Sequence, residues 1–506
     1  MDILEREGPP RGLILSTTST VQPPFLPKTT VWCPSSQGPD PGDQLLTTVT
    51  RIDGPGTVLL GGPVGDEDFV RGFLEAKVEK VKRITSLLPH LQDPQTEYCL
   101  LRSCLSLPKV MFSLRSVDTT EHQEVLQRYD QVTREGLARI LGVPPTDMQW
   151  LQARLPVTMG GLGLRSAEEH GPAAYASSYI SSLPLLRSLR HIPDDSPSMP
   201  LPPALLQSLG HRRREETSME SLVELEGGQH ALSLEIDLVA AEELKTQVAA
   251  LGGVEGVRES ARLLCLGQPY AGAWLNVVPS PPLGLHLRAS EFVPALKLRL
   301  GMDVYSTAGP CPACNTYSDK LGDHALCCAT GGSRIGRHNA LRDALHATAV
   351  SAGIGATKEN RHLLPGSGRK PADIFLPYWT GGKDTAWDVT VVHPLQSSMV
   401  ARAATTPGHG GQEAYTRKWR AAGDQCLQEG LVFVPLALES LGGWHEAAIR
   451  EVKKLGGALA RHSGAEESTA IRHLFQRMSV LLVKGNSALI VNRVPDNINS
   501  AVDGLH

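Results

Sequence analysis

The chain has 506 residues, with 49 Lys+Arg against 53 Asp+Glu and a formal net charge of -4 at pH 7. That length allows about three domains, and a hydrophobic fraction of 41% is ordinary for a globular protein. The charge balance excludes a uniformly basic nucleic-acid coat but leaves room for a local basic groove.

The first fifty residues are rich in Thr, Pro and Gly and read as loops and short extended pieces. They lack the charged-then-apolar plan of a signal peptide. No run of about 18 apolar residues, the length a membrane span needs, occurs anywhere. From Asp66 the pattern changes: Val70, Leu74, Val78, Val81, Ile84 and Leu88 recur at helical spacing, with Lys77, Lys80, Lys82 and Arg83 between them. Helical segments continue to about Leu141 and again from Ala167 to Leu189. HIPDDSPSMPLPP (191–203) reads as a linker. Helical pattern resumes from Glu215 to about Leu266, and PSPPLG (279–284) ends it.

After Gly332 helix and strand alternate. RHNALRDALHATAV (337–350) is a predicted helix, while ADIFLP (372–377) and TAWDVTVV (385–392) are short strands joined by YWTGGKD. QEAYTRKWRAAGDQCLQE (412–429) is a helix, VFVPLALE (432–439) a strand and IRHLFQRMSVLLV (471–483) an amphipathic helix. The expected fold class is therefore α+β and multidomain: a mainly helical N-terminal half, a small metal knuckle and a C-terminal α/β domain.

Four of the nine cysteines fall between positions 311 and 328. Without a secretion signal the expected compartment is reducing, where such a cluster points to metal and not to disulfides. Cys311 and Cys314 form C-x2-C, and two thiolates at that spacing can take one edge of a tetrahedron. His324 and Cys328, four apart on one face of a helical turn, close the other edge. Zn²⁺ prefers such a four-coordinate S/N set, and a site with four protein ligands is closed to substrate. Cys327 is an alternative to Cys328, though the spacing favours Cys328. The competing reading is a set of buried free cysteines.

The second constellation is Asp373 with Asp388. Reflecting position 373 through a hairpin centre near Thr380 and Gly381 lands on 388, which would set the two carboxylates opposite one another. Opposed Cβ atoms lie about 5 Å apart, and like charges there destabilise a sheet. A divalent cation such as Mg²⁺ would remove that penalty. Period-2 alternation puts Asp388 and Thr390 on one face, with Trp387, Val389 and Val391 on the other. The following helix offers Lys418, with Tyr415 one turn earlier. Such an arrangement suits phosphodiester hydrolysis. On the residues alone, the two acids more often mark solvent-exposed hairpin ends.

Here the residues begin to resemble a known assembly. CPAC…GDHALCCATGGSRIGRHNALRD, GRKPADIFLP, AWDVTVVHPLQ, VFVPLALESLGGW and IRHLFQRMSVLLVKGN are similar to the carboxy-terminal part of non-LTR (LINE-type) retrotransposon polyproteins. Those chains carry a reverse transcriptase, a CCHC zinc knuckle and a restriction-like endonuclease of the PD-(D/E)xK superfamily. PKTTVW (27–32), VLLGGPVG (58–65), LQDPQTEYCLLRSCLSLPKVMFSLRS (91–116) and ARLPVTMGGLGLRSAEEHGPAAYASSYISS (153–182) resemble the region from the late palm onward.

The resemblance implies a palm remnant at 1–60, a helical thumb-like region at 61–190 and a linker with helices at 191–300. A CCHC knuckle would follow at 301–332, an endonuclease domain at 333–462 and a C-terminal helix and tail at 463–506. It implies Zn²⁺ on Cys311, Cys314, His324 and Cys328, and catalytic Mg²⁺ on Asp373 and Asp388. Two departures stand out: Ala372 separates Pro371 from Asp373, and Thr390 occupies the usual lysine position, for which Lys418 on the following helix would substitute. Glu359 is a further candidate acid.

The implied activity is nicking of target DNA for target-primed reverse transcription, with DNA and element RNA as partners and the nucleus as location. The palm Asp-Asp run is missing, so competence as a reverse transcriptase is not expected, and the chain reads as the back part of something longer. The alternative is a catalytically dead or repurposed remnant that binds nucleic acid through the knuckle and helical region.

The remaining signals are less specific. His338, Arg342 and His346 share a helical face that could track phosphate or simply be solvated. The basic set at 77–83 suits a template-primer groove or a surface helix with snorkelling lysines. Arg212, Arg213 and Arg214 are followed by two glutamates. Glu439 ends a strand as a supporting acid or a turn cap. The glycines of TMGGLGL and ATGGSRIG match no nucleotide-binding fingerprint.

Overall fold

The computed structural model describes residues 30–34, 50–188, 228–360, 363 and 371–495. It shows a protein of mixed helix and sheet. Most of the expected palm remnant, the 191–203 linker and Arg212–Arg214 lie outside the described residues. Two compact units form, one from Met1–Ile84, Leu107–Val132 and Ser166–Ile236, the other from Thr85–Ser106, Thr133–Arg165 and Asp237–His506. The helical region expected as one piece at 61–190 is thus divided between them.

In the first unit, the helix Glu67–Thr85 buries Leu74, Val78 and Val81, as its spacing requires. Lys80 and Lys82 stay exposed, whereas Lys77 lies over the ring of Phe73. The helix Ala167–Ser188 is started by an acid from elsewhere in the chain. Asp130, itself buried, accepts hydrogen bonds from the backbone N–H groups of Ala167 (2.7 Å) and Glu168 (3.2 Å). A carboxylate there satisfies orphan donors and complements the helix dipole.

In the second unit, the TMGGLGL glycines have a backbone reason. Gly160 and Gly163 have positive φ, and a Cβ on Gly161 would fall 2.0 Å from the Leu155 carbonyl oxygen. Arg299 is buried against this loop, donating to Gly161 O (3.0 Å) and Val157 O (2.8 Å).

The C-terminal α/β module begins with α1 (Ser333–Ser351) and β1 (Thr357–Lys358). Then come β2 (Ile374–Thr380), β3 (Lys383–Val392), α2 (His409–Gln428), β4 (Val432–Glu439), α3 (Glu446–Ser463) and α4 (Glu467–Val491). The sheet order is β4-β3-β2-β1; β1, β2 and β3 form an antiparallel meander, and β4 joins β3 in parallel. A parallel neighbour needs a crossover, which α2 supplies. The β2–β3 turn is tighter than the sequence implies. Gly381 and Gly382 both have positive φ, which a two-residue type I′ turn requires.

Alternation along β3 sorts its side chains onto two faces. Trp387 and Val389 enter a core with Leu341 and Leu345 of α1, Leu436 and Leu438 of β4, Val452 and Leu455 of α3, and Leu474, Phe475 and Met478 of α4. On the other face Ala386 and Phe433 pack against Cys426 and Trp419 of α2. The helix expected as a separate piece beyond 462 is therefore part of this core. Fully buried Trp387 sits at its centre. Trp387→Ala should lower unfolding stability by about 3–5 kcal/mol in a urea titration; an unchanged midpoint would remove that residue from the core.

Candidate functional site

The first centre grows from a small hairpin. Gly309–Pro310 pairs with Tyr317–Ser318, and the turn between them carries Cys311 and Cys314. Asn315 takes a positive φ, and Cys311 N donates to Thr316 O at 2.8 Å, which folds the chain back on itself. Asp319 then starts the short helix Asp323–Cys327 by accepting from Asp323 N (3.0 Å) and His324 N (2.8 Å).

One ligand atom from each of Cys311, Cys314, His324 and Cys328 lies within 4.8 Å of the other three. Cys314 Sγ is 3.3 Å from His324 Nε2. Three thiols and an imidazole gathered this closely fit a tetrahedral metal such as Zn²⁺, whose bonds to sulfur and nitrogen are about 2.0–2.3 Å. Of the two adjacent cysteines, Cys328 supplies the fourth ligand atom; Cys327 instead turns its thiol to His324 O at 3.5 Å.

The knuckle is anchored on both sides. Ala325 and Leu326 pack with Leu298, Tyr305, Leu489 and Ile490. Asp323 pairs with Arg258 (2.5 Å to Nε), and His393 Nε2, just past β3, lies 3.3 Å from its other oxygen. Burial pushes the Asp323 carboxyl up, but His393 and Arg258 outweigh it and hold the group well below the usual carboxylate range. Sequence reasoning passed over this link, because nothing in local spacing ties position 323 to 258 or 393.

The second centre lies on the α2 side of the sheet. The β2–β3 register pairs Ile374 with Trp387, so Asp373, one residue earlier, comes beside Asp388. Asp373 N donates to Trp387 O (2.9 Å), and Asp373 Oδ2 accepts from Val389 N (2.7 Å). The two carboxyl groups lie close enough for each to shift the other's protonation. Lys418 Nζ, on α2, stands 2.8 Å from Asp388 Oδ2. His338 Nε2, on α1, is 3.2 Å from Asp373 Oδ1.

These neighbours drive the two acids apart. Burial pushes the Asp388 carboxyl up to about 6, with Lys418 opposing the rise and Asp373 adding to it. Burial acts on Asp373 as well, but the hydrogen bond and charge of His338, with the Val389 N–H, leave it below the usual value. Two acids this close mark a place where a cation would be favourable, since like charges side by side repel without one. Oxygen donors of this kind suit Mg²⁺.

The other candidates are placed differently. Arg342 is only 11% exposed on its side chain and is held by Glu359 and Asp343, while His346 Nε2 is 3.1 Å from Ala356 O. Glu359 thus faces Arg342, and its backbone N–H reaches Asp373 O at 2.9 Å. Thr390, at the usual lysine position, is buried. Glu439, also buried, accepts from Gly411 N (3.1 Å) and so fixes the start of the helix that carries Lys418. Tyr415 stacks on His445 with ring centroids 4.2 Å apart.

No family model matches the chain, and no curated protein matches it either. Among the described residues, no helix is long and apolar enough to cross a membrane.

Proposed function

We propose that the C-terminal α/β module is a metal-dependent DNA endonuclease, and that the chain is part of a non-LTR retrotransposon polyprotein in which it nicks target DNA in the nucleus. The observation that carries the reading is the convergence of Asp373, Asp388 and Lys418 from a strand edge, a central strand and a crossover helix. The meander-plus-crossover order, with an acid pair at the β2–β3 edge, supports a restriction-like core. Sequence similarity to the knuckle-plus-nuclease block supports the retrotransposon assignment, with element RNA a further partner.

In this reading Asp373 and Asp388 would hold Mg²⁺, which would supply Lewis-acid stabilisation of the scissile phosphate and lower the pKa of the attacking water. Lys418 places a positive charge where the phosphate oxygens gain negative charge. His338 and the Val389 N–H fix the Asp373 carboxylate, and Glu439 fixes the start of α2. The zinc knuckle, closed by four protein ligands, positions nucleic acid without taking part in the chemistry.

The test is nicking of supercoiled plasmid by the full chain with and without added Mg²⁺, comparing wild type with Lys418→Ala. The expected result is magnesium-dependent nicking that falls on the order of 10²-fold in the variant. Equal rates in wild type and variant would overturn the role of Lys418. No metal-dependent nicking at all would favour a nucleic-acid-binding remnant.

A further inference from the structure

A large groove lies away from the carboxylates. It has a volume of about 1550 Å³ and is walled by α3, α4 and the loop after Gly267. That volume exceeds the roughly 300–1,000 Å³ of ordinary small-molecule pockets. It has room for a stretch of polymer.

One wall is basic. Lys453 on α3 and Arg472, His473 and Arg477 on α4 line it, all exposed, and no Asp or Glu is among the lining residues. The opposite wall is apolar: Val278 is 80% exposed and Leu283 70%, a large display for two aliphatic side chains. This wall is held in place. Gln476 Nε2 donates to Asn276 O (2.9 Å) and Lys484 Nζ to Gly284 O (3.1 Å), so α4 pins the Pro-rich loop at both ends.

The floor carries the most specific feature. Tyr270 has φ +66°, a conformation side chains other than Gly rarely adopt. One face of its ring is stacked on buried Phe475, with centroids 3.6 Å apart and planes within 5°. The surroundings thus hold a flat aromatic platform, partly open to the groove, in a backbone state it would not choose alone.

We infer that this groove binds single-stranded nucleic acid, with phosphates along Lys453, Arg472, His473 and Arg477 and unstacked bases against Tyr270, Val278 and Leu283. A cationic track beside a stacking platform and apolar contacts is the chemistry such strands require. A duplex, whose bases are already stacked, has no use for the platform. The inference does not rest on the nuclease reading, because none of these residues belongs to the carboxylate site.

The experiment is fluorescence anisotropy with the full chain in magnesium-free buffer, using labelled 12-mers of oligo-dU and oligo-U and a 12-base-pair duplex, at several salt concentrations. Wild type is expected to bind one or both single strands, and comparing the two oligomers identifies the preferred sugar. Arg472→Glu with Arg477→Glu should weaken that binding and reduce the salt slope by about 1.4, from about 0.7 per phosphate contact. Tyr270→Gly, which tolerates the left-handed backbone, should lose about tenfold in affinity for single strands with little change in slope. Unaltered affinity in both variants, an equal loss on the duplex, or no single-strand binding by wild type would each overturn the assignment. The last result would point to an acidic peptide as occupant.

Discussion

Asp388→Asn should abolish magnesium-dependent nicking, by on the order of 10³-fold or more, while leaving the metal-free chain no less stable at pH 8. The two halves of this result have one cause. In the folded chain the carboxyl of Asp388 is pushed up to about 6, above its ordinary value. Folding therefore loses stability through this group as pH rises towards and beyond 6, since the folded state must then carry a charge it disfavours. Asn lacks that charge and offsets the loss of the Lys418 pair.

Asp373→Asn should behave differently. Its carboxyl sits below the usual value and accepts the Val389 N–H beside His338. Its contribution is therefore present at neutral pH and lost as pH falls through the folded value, and removing it costs stability as well as nicking. Urea titrations in magnesium-free buffer at pH 8, run beside plasmid nicking, check both variants. Retained nicking in Asp388→Asn would sink the metal-holding role.

Zinc should be retained by Cys327→Ser and lost by Cys328→Ser. The thiol of Cys328 meets those of Cys311 and Cys314 and the imidazole of His324, whereas that of Cys327 faces a carbonyl. Elemental analysis of the purified chain is expected to give one zinc per chain for wild type and Cys327→Ser, and none for Cys328→Ser. Structural zinc sites couple on the order of 10 kcal/mol of binding free energy to folding. Strong chelation should accordingly open the knuckle and lower the unfolding midpoint more than any single core substitution. Full zinc content in Cys328→Ser would remove that thiol from the site.

Much of the module could be read from local patterns. Strand β3 was visible because alternating residues bury one face, and the position of Asp388 followed from the same period. The hairpin reflection that set Asp373 against Asp388 depended on loop length alone, and it coincides with the register near Ile374 despite an irregularity between Leu376 and Thr380. The four metal ligands were legible because a knuckle is built from near neighbours.

What sequence could not show was long-range. Helix α3 carries no sequence expectation, and Gly456 and Gly457 leave a gap in its side-chain pattern. In the structure a Cβ on Gly456 would come within 2.9 Å of the Ile471 backbone, so the gap is where α3 and α4 touch. The contact of His338 with Asp373 joins residues 35 apart, and no periodicity encodes it. The role of Glu439 likewise depends on where α2 begins. Arg342, which sequence offered as a phosphate contact, is engaged by Glu359 across a strand end that was only weakly indicated.

The ion pairs of Asp323 have a consequence for handling the protein. One carboxylate in the knuckle helix closes a bridge to Arg258 and to His393, and His393 Nδ1 is in turn 2.7 Å from Ser440 Oγ beyond β4. A chain cut to begin at residue 333 would leave the ends of β3 and β4 without their acidic counterpart. The α/β module and the knuckle are therefore tied by buried ion pairs, and they should be expressed and exchanged as one piece.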